Sequence, residues 1–131
     1  MVTGDLPPLR IAPLAKASSD APDLSIFRYL SDEQPDQLGQ FIEKFVAALD
    51  QEMKLLTEAV HSGDCERTRR QAHRILSQTA LVSASRVAAL VTAIQDAARQ
   101  GDIDTPRSTL AAIEEEVAGL KRDLRSALGT R

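Results

Sequence analysis

The chain has 131 residues, 43% of them hydrophobic but only 3% aromatic, with no Trp and a single cysteine, Cys65. That length allows one domain with its own core. The lone cysteine excludes an internal disulfide and a cysteine-rich metal centre, and a net charge of −3 argues against a broad nucleic-acid surface.

Ala and Leu dominate the composition, and both favour helix over sheet, so the expected class is all-α. No apolar run is long enough to span a membrane, and the start of the chain lacks the apolar stretch of a signal peptide. No direct membrane contact is expected, and the expected location is cytoplasmic, whether for a whole protein or for the cytoplasmic part of a larger one.

Residues 1–22 contain Pro7, Pro8, Pro13 and Pro22. Proline fixes φ and removes a backbone donor, so this stretch is expected to be a flexible linker ahead of a folded unit at 23–131. Asp23 can cap a short helix, LSIFRYL, that ends near Leu30. Ser31 or Asp32 could cap the next helix, with Pro35 in its first turn. From about Gln34 to His61 the apolar residues Leu38, Phe41, Ile42, Phe45, Val46, Leu49, Met53, Leu56 and Val60 recur in steps of three and four, which defines one helical stripe.

Gly63 stops that helix and Asp64 caps the next, expected over about Cys65 to Thr79. After a break at Leu81–Ala84 a fourth long segment carries Val87, Leu90, Val91, Ile94 and Ala98, and Gln100-Gly101-Asp102 ends it. The last helix is expected from near Thr105, with Pro106 at its first position. It bears the narrow seam Leu110, Ile113, Val117, Leu120, Leu124 and Leu128. The expected architecture is an antiparallel four-helix bundle with an additional short N-terminal helix. The seam can fill the bundle core or serve as a dimerisation face, and Glu114-Glu115-Glu116 reads as a solvated helix face.

His73 lies inside the third long segment, beside Arg69, Arg70 and Arg74. At 100° per residue, Cys65, Thr68, Ala72, Ile75, Leu76 and Thr79 cluster on one side, and His73 falls roughly 110° from the centre of that cluster. It is therefore expected on the outer surface, sharing a face with Arg69, Arg70 and Ser77. A metal site needs several convergent ligands, but His61 is twelve positions back at a helix end. No acidic residue lies three or four positions from His73. A catalytic triad needs an activated Ser or Cys and an orienting acid, and Cys65 is on the core side. A solvated histidine without a role remains open. So does an imidazole that itself accepts a phosphoryl group, which needs solvent access, cations and small neighbours.

The stretch from Ala72 to Asp102, AHRILSQTALVSASRVAALVTAIQDAARQGD, resembles the histidine-containing phosphotransfer (HPt) domain. That family's usual pattern is Ala-His-x-(Leu/Ile)-Lys-Gly-(Ser/Ala), then a small-residue turn and a helix ending in Ala-x-x-Gly-(Asp/Asn). The likeness extends upstream through the long helix to DLSIFRYL and covers about residues 23–128. Three positions depart from the pattern: Leu76 stands for the lysine, Ser77 for the glycine, and Ser83 for the small turn residue that is often glycine.

The resemblance implies a helical bundle in which His73 accepts a phosphoryl group from a receiver-domain aspartate and passes it to another receiver. Arg69, Arg70, Arg74, Leu76 and Ser77 are then candidates for supporting the phosphate or docking the receiver. The implied carrier binds no cofactor and no metal of its own, the Mg²⁺ for transfer coming from the receiver. The chain shows no Gly-rich nucleotide loop, so ATP use is not expected. A domain with such a leading linker could be the end of a membrane-bound hybrid sensor kinase or a free-standing carrier. The contrasting reading is a degenerate HPt-like module that docks or dimerises without transferring phosphate.

Overall fold

The computed structural model describes residues 22–32 and 34–129, with backbone only at 35, 128 and 129. Five helices follow in order: α1 (Ser25–Leu30), α2 (Pro35–Ser62), α3 (Cys65–Ala80), α4 (Ser85–Arg99) and α5 (Asp104–Gly129). The linker expected at 1–22 lies, Pro22 apart, outside the described residues.

Each of the four long helices packs against two neighbours, α2 on α3, α3 on α4, α4 on α5, and α5 back on α2. Short connections make sequential neighbours antiparallel, so the arrangement is a closed four-helix bundle. Its centre is the expected stripe of α2, with Ile42, Leu49, Leu56 and Val60 fully buried, together with Ile75, Val91, Ile94, Ile113 and Leu124. The α5 seam points inward: Leu110, Ile113, Val117, Leu120 and Leu124 are all in the core. The side chain of Leu128 is outside the described set.

The short α1 packs on α2 through an edge-to-face pair, Phe27 and Phe45, with ring centroids 5.4 Å apart. Its entry is fixed by Asp23, whose carboxylate accepts hydrogen bonds from Ser25 N (2.9 Å) and Ser25 Oγ (2.6 Å). The Asp23 N–H donates to the Val82 carbonyl at 3.0 Å, which ties this end to the α3–α4 turn.

The structure corrects two details of the sequence reading. Neither Ser31 nor Asp32 caps α2, whose N-cap is Gln34 without a side-chain bond. Ser31 instead ends α1, buried, with its hydroxyl donating to the Arg28 carbonyl at 3.2 Å. Asp32 turns the chain with φ 54°, so the two residues serve the corner and not the following helix. Lastly, α5 starts at Asp104, so Pro106 is its third residue and not its first. Asp102 accepts from Thr105 N (3.1 Å) and Thr105 Oγ1 (2.6 Å) at that helix start.

The boundaries of α3 are as the sequence suggests. Gly63 adopts φ 76° at the end of α2, a left-handed conformation that favours glycine. The Asp64 carboxylate then accepts from Arg67 N at 3.0 Å and caps α3. Ser83, in the α3–α4 turn, also has a positive φ of 54°.

Candidate functional site

Helix α3 buries Thr68, Gln71, Ala72, Ile75 and Thr79. That burial sets its rotation and leaves His73 and Arg74 exposed in mid-helix. Cys65 and Leu76, expected on the core side, are only half-buried, and Leu76 packs against the edge of the core. Ser77 is exposed, and its hydroxyl donates to the His73 carbonyl at 3.3 Å. That bond occupies the serine within its own helix. His61 is exposed in the last turn of α2, where a basic side chain suits the helix dipole.

His73 lines an open groove of about 640 Å³ between α2 and α3, with Leu55, Arg67, Arg69, Arg70, Gln71 and Arg74 as the other walls. Four arginines thus surround one imidazole. Each is held by a carboxylate. Arg69 grips Glu66 through two bonds, Nε to Oε1 at 3.1 Å and Nη2 to Oε2 at 2.6 Å, and Arg70 Nη1 reaches the same Oε2 at 3.2 Å. These two cations hold the Glu66 carboxyl far below its ordinary range, at about 2, with the Arg69 hydrogen bonds as the largest cause. Arg67 approaches Glu58 of α2 at 3.7 Å.

Arg74 is held across the helix–helix boundary. Its Nε and Nη2 donate to the two oxygens of Glu52 at 3.1 and 3.2 Å. Gln71 Nε2 donates to the same carboxylate and to the Glu52 carbonyl, the latter at 3.2 Å. The Glu52 side chain is only 13% exposed, and its carboxyl is lowered from the ordinary value, first by the Arg74 hydrogen bonds. This network locks the rotation of α3 against α2 and so fixes the direction in which His73 projects.

The sequence reading placed Arg69, Arg70, Arg74 and His73 on this face but missed Glu66, Glu52, Gln71, Leu55 and Arg67. Glu66 was legible, because it sits three and four residues before the two arginines, the spacing of helical ion pairs. Glu52 and Leu55 belong to another helix, and no local spacing connects them to His73. Among the described residues no group of three His, Cys, Asp or Glu side chains could hold a metal ion. No helix among them is long and apolar enough to cross a membrane.

Fold and site together define a four-helix bundle that presents one exposed histidine on an arginine-rich face. The family model of the Hpt domain matches residues 40–123, and the chain belongs to that family of histidine phosphotransfer domains. Among solved structures it is similar to the crystal structure of histidine-containing phosphotransfer protein B (HptB) from Pseudomonas aeruginosa PAO1. The TM-score is 0.72 at 18% sequence identity, over 85% of this chain and 96% of that one. Comparison with curated proteins gives no match.

Proposed function

We propose that the protein is a phosphorelay intermediate and that His73 is its phosphoryl carrier. The observation that carries this reading is the exposure of His73 in mid-helix on the arginine-lined groove, in a chain of the Hpt family. The unprotonated Nε2 of His73 attacks the phosphorus of a receiver's aspartyl phosphate. A P–N bond forms as the acyl-phosphate P–O bond breaks, and the electron pair leaves on the aspartate carboxylate. In the onward step the aspartate of a second receiver attacks, and the pair returns to the ring nitrogen.

This chain contributes an accessible nucleophile, cations beside it and a surface for the receiver; Mg²⁺ comes with the receiver. Docking uses the His73 face of α3 and the adjoining face of α2. There Leu55 and half-buried Leu76 supply apolar contact within a small, transient interface, and Ser77 keeps the approach uncrowded.

The test is transfer from a phosphorylated receiver in Mg²⁺, run beside His73→Gln. Acid-labile label on the wild type and none on the variant is the expected result. Label persisting on His73→Gln would move the carrier role elsewhere. Absence of label with every receiver tried, including any encoded alongside, would favour a docking module without transfer.

A further inference from the structure

The arginines around His73 are held in two different ways. Arg74 is bound to Glu52, whose carboxylate is mostly buried and also accepts from Gln71. Breaking that pair would strand a mostly buried charge, which is costly. Arg69 and Arg70 share Glu66, whose side chain is 59% exposed, with Arg70 60% and Arg69 30% exposed, so the shared carboxylate, unlike that of Glu52, meets solvent. Exposed ion pairs are worth little, so their partners are cheaply exchanged.

Glu66 lies seven residues before His73, nearly the same angular position two turns away, at about 10 Å along the axis. Arg69 and Arg70 lie between them, one turn from each. A phosphoryl group on His73 would bring close to two negative charges and three acceptor oxygens. Guanidinium matches that geometry better than it matches a single shared carboxylate.

We propose that Arg69 and Arg70 are exchangeable clamps, held ready by Glu66 while His73 is unmodified and handed to the phosphoryl oxygens once His73 is phosphorylated. Glu66 is thus a positioning residue that keeps two cations on the His73 face and competes with the phosphoryl group for them. They stand in for the cation that Leu76 does not provide. The inference rests on the reading of His73 as the carrier.

Phosphoramidate separates the two claims, because it phosphorylates an accessible imidazole without a receiver: the new P–N bond forms on the ring and ammonia leaves. On the protein treated in this way, the NMR signals of the arginine Nε–H groups should move for Arg69 and Arg70 and stay in place for Arg74. In equilibrium with a phosphorylated receiver, Glu66→Gln should raise the phosphohistidine fraction about two- to five-fold, the range an exposed ion pair allows. In an Arg69→Ala/Arg70→Ala background the same change should do nothing. Stationary Arg69 and Arg70 signals would overturn the exchange, as would a Glu66→Gln effect that persists without the arginines, since the latter is simple charge removal. Label from phosphoramidate but from no receiver would sink the relay reading and leave the NMR result to decide the clamp. Failure of phosphoramidate to label His73 would overturn both.

Discussion

Leu76 and Glu66 carry the chemistry that distinguishes this His73 face at the scale of single residues. Leu76 occupies the position where the family pattern has lysine, half-buried against the edge of the core. A lysine there can lay its methylene stem along the same apolar edge and send its ammonium to water. Leu76→Lys is therefore expected to cost about 1 kcal/mol, a fraction of the burial of a whole leucine. It should keep or raise the transfer rate from a phosphorylated receiver. Denaturant titration and transfer kinetics on one preparation check both, and a large loss of transfer in a well-folded variant would make Leu76 a docking or packing residue.

The pH dependence of Glu66 follows from its depressed carboxyl. Its folded-state value is about 2 against an ordinary 4.5, so its pairing with Arg69 and Arg70 stabilises α3 fully above 4.5. That contribution is lost as the pH falls from 4.5 towards 2. Glu66→Gln should show a shallower loss of stability over that window than the wild type, measured by urea denaturation at a series of pH values. The difference should be small, because all three side chains meet solvent.

Elements are decided by their ends as much as by their stripes. The α3–α4 turn places Ser83 at φ 54°, the left-handed region that a side chain pays for and glycine does not. Ser83→Gly should raise stability by up to about 1 kcal/mol, offset in part by the greater freedom of glycine in the unfolded chain. Thermal denaturation would show it, and a fall in the melting temperature would mean that the turn is not strained. The positive φ also explains why a small residue, often glycine, fits the family pattern here.

The helices themselves were legible because steps of three and four are a local code: the α2 stripe and the α5 seam could be read residue by residue, and the stripe, with Phe41 at its edge, and the seam from Leu110 to Leu124 lie in the core. Gly63 and Asp64 were legible for the same reason, since a left-handed stop followed by an acidic cap is a short-range signal. The start of α2 was not. Ser31 and Asp32 are both good capping residues, and it takes the burial of Ser31 at the end of α1 and the positive φ of Asp32 to show that they turn a corner instead. The same limit applies at the site. The helical wheel brought His73 and its arginines to one face, but the Glu52–Gln71–Arg74 link depends on how α2 packs against α3, which no periodicity within either helix encodes.

The whole molecule bears on whether this is a carrier or a self-associating module. A dimer through the α5 seam would need Ile113, Val117 and Leu124 on the surface, yet Ile113 and Leu124 are fully buried and Val117 is 4% exposed. Using that seam between two copies would mean opening the bundle and exposing the α2 stripe. The one-residue test is Ile113→Ala. If the seam is core, the variant loses about 2–5 kcal/mol from the cavity it leaves, a large share of the roughly 5–15 kcal/mol that holds a domain together. The sedimentation coefficient of the wild type should be that of a 14.2 kDa monomer, and that of the variant, while folded, should match it. A seam working between copies would give the opposite pattern, a dimer that dissociates in the variant with little change in the stability of each subunit. A monomer fits the proposed function, because an exposed His73 face on a closed bundle can be met by one receiver and then by another without first being uncovered.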